Sequence, residues 1–336
     1  MSTNLAIIHV RNDPSNHIWQ QLVSAFENNQ CISIIISRSS DDSQDYRKVT
    51  SFNIPSVFAS DCTKLAAIIK IIKILKTNLL LNKTTTIRDI FYQDVEIFNK
   101  NSQECKTLLI DLVEKGLGWS LAQDFNTHPT QKGLMYGNIF KQLAEPTLIP
   151  ISFCSYFKQT ATVPPRSKLV VIVLEKDAIL HSFSKFIETR SDMLNCNFLV
   201  ITGKGFSDNL TQQFATWLTQ TYHTTVLGFF DSDAHGILIY KQYKCAIPYI
   251  DYTGMYLLES HCNSQLTITT RDISIMTNLA ATATVSLGQK VHRELTRGLF
   301  LNKKAEMNVV SAEEYNSYIL DKVCKVVSAH VTTGEA

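Results

Sequence analysis

The sequence predicts an α/β chain in two parts: an N-terminal α+β part built on helices around a tight turn, then a Rossmann-like parallel sheet. Three observations predict it. Residues 62–115 carry apolar side chains at helical spacing, broken by short polar turns. Beyond Pro164 and Pro165 come three short unbroken apolar runs, KLVVIVL, NFLVIT and TTVLGFF, with helical stretches between them, the pattern of buried parallel strands. With 45% apolar and 18% charged residues, and only 12 Gly and 8 Pro in 336 residues, the chain has enough apolar material for two cores. That composition excludes collagenous, linker-like and disordered readings. The net charge of +2 argues against a protein that coats nucleic acid through bulk charge, but it does not say where the charges sit.

Residues 1–59 alternate apolar runs (LAIIHV, CISIIIS) with polar stretches and form a divergent N-terminal segment to which no chemistry is assigned. The start has no basic residues before its apolar patch, so it does not read as a secretory signal. Residues 60–150 read as a helical domain. Leu65–Leu81 places Lys70, Lys73 and Lys76 on one side of a helix and Leu65, Ile68, Ile69, Ile72 and Leu75 on another. That is an amphipathic helix, packed on a core or on a membrane surface, and not a membrane span. After the turn at 82–85, Thr86 and Asp89 form a T-x-x-D capping box that starts a second helix, Thr86–Asn99. Two helices around a tight turn predict a helix-turn-helix or winged-helix unit, with a third helix at Ser102–Lys115. Residues 151–165 read as a linker, and 166–336 as the sheet domain, closed by helices at Gly288–Phe300 and Ala312–Val327. The eight cysteines stand at least 17 residues apart and form no C-x-x-C pair, which argues against a cysteine zinc site.

The chemistry is expected at the strand ends, because ligands of open parallel sheets gather outside the strands' C-terminal ends. The first strand runs into Glu175-Lys176, and the third into Asp231-Ser232-Asp233. An isolated D-x-D is commonly a turn or a helix cap. Following an apolar strand and partnered by Glu175, it offers hard carboxylate oxygens of the kind that suit Mg²⁺. The second strand ends in Gly203-Lys204-Gly205, where Lys204 could meet a phosphate, although a lone G-K-G is equally a plain turn. In the Thr86–Asn99 helix, Ile87, Ile90, Phe91, Val95, Ile97 and Phe98 share one arc, and Arg88, Tyr92 and Glu96 lie on its flank. Tyr92 is therefore displayed, with the Arg88 guanidinium one turn away, where it could hold a phosphate in front of the phenol.

Taken together, T-I-R-D-I-F-Y (86–92), Q-K-G-L (131–134), L-E-K (174–176), T-G-K-G (202–205), D-S-D (231–233) and K-K-A-E-M (303–307) resemble, in order and spacing, the DNA-cleaving A subunit of topoisomerase VI. They look most like its eukaryotic descendant of the budding-yeast type, which makes meiotic double-strand breaks. Serine at 207 and alanine at 234 depart from the prolines common in that family. The resemblance implies a winged-helix domain carrying the catalytic Tyr92, aided by Arg88, and a Toprim domain whose Glu175, Asp231 and Asp233 hold Mg²⁺. It implies Lys132 as a DNA-backbone contact and a 5′-phosphotyrosyl intermediate on double-stranded DNA. It further implies composite sites shared with a second copy of the chain, a partner resembling the topoisomerase VI B transducer, a WD-repeat scaffold and a nuclear location on meiotic chromosomes. Two readings compete with DNA cleavage: a catalytically silent DNA-binding or scaffolding subunit, and a Mg²⁺-dependent phosphohydrolase using Asp231 as nucleophile.

Overall fold

Apolar runs in the two parts of the sequence close around separate cores. In the computed structural model, residues 5–10, 18–37, 49–56, 58–141, 145–190, 193–260 and 264–332 are described. The chain divides into two compact units, Met1–Thr130 and Gln131–Ala336.

The first unit comprises β1 (Leu5–Val10), α1 (Ile18–Glu27), β2 (Cys31–Ser37), β3 (Val49–Ile54), α2 (Ala59–Leu80), β4 (Thr85–Thr86), α3 (Ile87–Tyr92), α4 (Ser102–Leu109), α5 (Leu121–Phe125) and β5 (Thr127–His128). In its three-stranded sheet, β2 pairs in parallel with β1 and antiparallel with β3. Ile32, Ile34 and Ile36 alternate along β2 and are buried in the same core as Leu65, Ile68, Ile71 and Leu75 of α2. Residues of the 1–59 segment are thus an integral layer of this unit. Burial of its apolar face makes α2 a core helix, which removes the membrane-surface reading, and among the described residues no helix is long and apolar enough to cross a membrane.

Two helices differ from expectation. α3 stops at Tyr92 instead of running to Asn99. Asp94 ion-pairs with Lys70 of α2 at 3.2 Å, and Asn99 and Lys100 take left-handed backbone angles, so the chain turns while still burying Phe98. The predicted helix at Ser102–Lys115 becomes α4 followed by a wide π-helical turn, Ile110–Leu117, which ends where Gly118 adopts φ 69°.

The second unit comprises β6 (Leu134–Gly137), β7 (Thr147–Leu148), α6 (Phe153–Thr160), β8 (Lys168–Leu174), α7 (Asp177–Glu188), β9 (Phe198–Thr202), α8 (Asn209–Thr221), β10 (His223–Phe229), α9 (Ala234–Ala246), β11 (Asp251–Gly254), β12 (Leu266–Thr267), α10 (Thr270–Ser286), α11 (Gln289–Leu301), β13 (Lys303–Lys304) and α12 (Ala312–Thr332). Its six-stranded sheet has the order β11-β10-β8-β9-β6-β7. The first four strands are parallel, and β6 and β7 extend the edge antiparallel. Pairing of β6 with β9 draws residues 134–148 into this unit, which places the division at 130/131 and not near 150. The expected linker 151–165 contains α6, whose Phe157 is buried edge-on against Trp217 and Phe214 of α8.

Both faces of the sheet are covered. Leu169, Val171 and Val173 of β8 face a core shared with α8, α9, α10 and α11, and Val170, Ile172 and Leu174 face one shared with α7 and α12. The central strands β8 and β9 are buried on both sides along nearly their whole length, which is why they read as unbroken apolar runs. Ile172→Ala is expected to lower the unfolding free energy of the second unit by about 2–5 kcal/mol, read by denaturant titration, because its fully buried side chain leaves a cavity between tightly packed layers.

Candidate active site

Strand order dictates where the acids meet. β8 continues into α7 on one face of the sheet, and its neighbour β10 continues into α9 on the other. The adjacent strand ends therefore splay at a topological switch point, the usual crevice of an open α/β sheet. Glu175 leaves β8 there, and Asp231 and Asp233 leave β10 there, all three at least nine-tenths buried.

Their partners are specific. The Asp231 backbone N–H donates to Glu175 Oε2 at 2.9 Å. Asp231 Oδ1 accepts from the Met307 N–H at 2.9 Å, and its Oδ2 lies 2.6 Å from the Lys176 ammonium. Asp233 caps α9, its Oδ1 accepting from the Gly236 N–H at 2.6 Å. Gly236 has no room for a side chain, since a Cβ would sit 2.2 Å from the Asp231 carbonyl oxygen. The K-K-A-E-M segment closes over this loop: Ser232 and Ala305 exchange backbone hydrogen bonds of 2.8 and 3.2 Å, and Lys304 lies 3.0 Å from Glu306 and 3.8 Å from Asp233.

Electrostatics follows from burial. Burial, reinforced by the Asp231 charge, pushes the Glu175 carboxyl up to about 8. Burial also raises Asp231, against the pull of Lys176. Burial opposes the Lys176 charge, yet Asp231, Glu175 and Glu306 hold that ammonium above its ordinary value. Glu175, Asp231, Asp233 and Glu306 set four carboxylates against the two ammonium groups of Lys176 and Lys304, a formal excess of two negative charges when all are ionised. Among the described residues no group of three or more Asp, Glu, His or Cys side chains is placed to hold a metal ion. The donors nevertheless fit Mg²⁺, which takes one or two carboxylates and fills its remaining positions with water and substrate oxygens.

Sequence reasoning names the three acids but not the residues that hold them. Lys176, Lys304 and Glu306 lie within the motifs without a role of their own. Glu294 has no sequence signal at all: it is buried on α11, accepts from the Ser232 hydroxyl at 2.8 Å and binds Arg297 at 2.7 Å, bracing the D-S-D turn from beneath. The two expected phosphate lysines stand apart from the acids' partners. Exposed Lys132 donates to the Phe206 carbonyl at 2.8 Å, and Lys204 lies 3.7 Å from Asp177.

In the first unit, Tyr92 ends α3 and is 57% exposed, while Ile90 and Phe91 anchor the helix in the core. The capping box forms as the sequence predicts: Thr86 Oγ1 accepts from the Asp89 N–H at 3.1 Å, and Asp89 Oδ2 accepts from the Thr86 N–H at 3.0 Å. These bonds hold the Asp89 carboxyl below its usual range. Arg88 turns its guanidinium onto the phenol, with Nε and Nη2 donating to Tyr92 Oη at 3.1 and 3.0 Å. A donor pair aimed at the phenol oxygen stabilises negative charge there, which is what a nucleophilic tyrosine requires.

Comparison with known proteins agrees with both halves. Residues 170–323 match the Toprim domain shared by Spo11 and the A subunit of topoisomerase 6, and residues 63–119 match the type IIB DNA topoisomerase domain. Meiosis-specific protein SPO11 of Saccharomyces cerevisiae is 30% identical over 295 residues, covering 74% of this chain and 72% of the yeast protein. The chain belongs to the family of Spo11 and the topoisomerase 6 A subunit. Meiotic recombination protein rec12 of Schizosaccharomyces pombe is 26% identical, covering 82% of this chain and 80% of that protein. The A subunit of DNA topoisomerase 6 from Arabidopsis thaliana is 24% identical over 60% of this chain and 47% of its own length. The winged-helix and Toprim reading of the fold holds, and the acids described above lie inside the matched Toprim segment.

The raised Glu175 carboxyl has a thermodynamic consequence. Between the ordinary carboxylate value and about pH 8, the unfolded chain has lost this proton while the folded chain keeps it, so stability falls as pH rises through that window. In metal-free protein, Glu175→Gln is expected to raise Tm relative to wild type at pH 8, by an amount that shrinks toward pH 5. Calorimetry in the presence of a chelator reads this directly; a difference independent of pH contradicts the assignment.

Proposed function

We propose that this member of the Spo11 and topoisomerase 6 family cleaves DNA by transesterification during meiosis, starting recombination with a double-strand break. The Arg88–Tyr92 pair carries the reading: an exposed phenol whose oxygen receives two guanidinium hydrogen bonds is built to act on an anionic substrate.

The phenol oxygen of Tyr92 attacks a backbone phosphorus and forms a P–O bond to the 5′ end of the cut strand. The bond from phosphorus to the 3′ oxygen breaks, and the proton lost by the phenol is balanced by the one gained on the 3′ hydroxyl. One phosphodiester replaces another, so cleavage needs no nucleotide hydrolysis. Arg88 stabilises the phenolate and orients the phosphate. Glu175, Asp231 and Asp233 would hold Mg²⁺. When bound, the ion would supply positive charge that offsets the charge on the phosphate and on the departing oxygen. Lys132 and Lys204 lie beside the end of β9, where ammonium groups can meet the DNA backbone.

One phenol cuts one strand, so a double-strand break takes two copies of the chain, and we assign Tyr92 of one copy to the acids of the other. A transducer resembling the topoisomerase VI B subunit, a WD-repeat scaffold and a nuclear location complete this proposal and follow from the family resemblance. The phosphohydrolase reading is disfavoured because it leaves the Arg88–Tyr92 pair without a role.

Tyr92→Phe is expected to abolish covalent protein–DNA adducts in meiotic cells while leaving DNA binding unchanged. Adducts at wild-type level would refute the nucleophile, and binding without adducts in the wild type would leave the silent scaffold. Mixing Tyr92→Phe chains with Glu175→Ala chains tests the shared site. Heterodimers are expected to nick one strand, whereas complete inactivity of verified heterodimers places each site within one chain.

A further inference from the structure

Beside Tyr92 the first unit holds an open cavity of about 570 Å³, walled by α2, the 82–85 turn and α3. This volume lies within the range of ligand-binding clefts. Its charge is uneven. Lys70, Lys73 and Lys83 line it against a single carboxylate, that of Asp89, which is already engaged in the Thr86 cap. Lys70 is matched by Asp94. Lys73 and Lys83 are exposed and, among the described residues, have no carboxylate within ion-pair distance. Along the chain, residues 62–88 carry five lysines and one arginine and no acid.

A second observation points to a ligand. Asn78 also lines the cavity, is 96% buried, and its side-chain amide nitrogen has no hydrogen-bond partner. A buried donor left unpaired is costly unless something arrives to accept from it. Two ammonium groups without a close ion-pair partner among the described residues, one of them acting at longer range on Asp89, and an unpaired amide donor share a complement: an anion rich in acceptor oxygens. The Tyr92 ring forms part of the same wall, so the anion bound here adjoins the nucleophile.

We infer that this cavity is a subsite for a phosphodiester of the strand under attack, next to the scissile one, held by Lys73 and Lys83 over Asn78. The inference rests on the transesterase reading and adds a register-setting contact to it. Gripping a neighbouring phosphate fixes how the strand slides past Tyr92, and phosphate contacts of this kind position nucleic acid without reading sequence.

The test measures duplex binding against salt concentration in a full-length Tyr92→Phe chain, so that DNA stays uncut. Lys73→Gln/Lys83→Gln is added to that chain, and Lys76→Gln serves as control. Lys76 lies on the same helix, but its ammonium sits 5.0 Å over the Trp19 ring and it does not line the cavity. Losing one phosphate contact reduces the slope of log affinity against log salt by about one. That reduction is expected for the double variant, with Lys76→Gln keeping the parent slope. The double variant is also expected to become insensitive to a single neutral methylphosphonate placed beside the scissile position, which weakens the parent. Melting curves check that these surface changes leave the fold intact. An unchanged slope in the double variant, or an equal loss in Lys76→Gln, overturns the subsite. If the parent itself shows no salt-dependent DNA binding, the transesterase reading falls, and the subsite with it.

Discussion

Repulsion among buried carboxylates at the ends of β8 and β10 sets the terms for the second unit. Glu175, Asp231 and Asp233 are taken out of water at a point where two strand ends splay, and each is tied down by a backbone N–H. Lys176 supplies charge from the next position in the chain, and Met307 and Lys304 arrive from far along it. The closing K-K-A-E-M segment thus acts as the clamp that makes an acidic crevice tolerable within the fold. Holding such charge together costs stability. In the proposed function a divalent cation and an anionic substrate brought to this crevice would offset that cost.

The first unit manages the opposite charge. A basic helix and turn lead to a phenol already receiving two guanidinium bonds, and the acids nearby are consumed locally, Asp89 by the helix cap and Asp94 by Lys70. The small net charge of the chain is therefore a sum over a basic surface around Tyr92 and an acidic crevice in the other unit. It carries no weight against nucleic acid as a partner.

Much of this is legible in the sequence where local rules decide the outcome. Buried parallel strands must be apolar on both faces, so β8, β9 and β10 stand out as runs, and the residues following them name the crevice. The T-x-x-D box announces α3 and the display of Tyr92. The same signal at Thr269–Asp272 opens α10, a helix absent from the sequence-based expectation. What stays hidden depends on distant partners. The end of α3 is drawn aside by an ion pair to α2, 24 residues earlier. Residues 134–148 join the sheet through antiparallel pairing with a later strand, and α6 forms because Phe157 finds Phe214 and Trp217. Glu294 braces the D-S-D turn across 62 residues, a contact that no local spacing encodes.

Both charge arrangements have one chemical purpose in the proposed function: the Tyr92 phenol oxygen attacks phosphorus, and the acidic crevice would hold the divalent cation that offsets the phosphate's charge. The most direct measurement is peptide mapping of denatured protein–DNA complexes after exhaustive nuclease digestion, with Mg²⁺ and with chelator. The expected result is a single nucleotide-bearing peptide, attached through a 5′ phosphate to Tyr92 and found only with Mg²⁺. Attachment to another residue, or equal attachment with chelator, would contradict it.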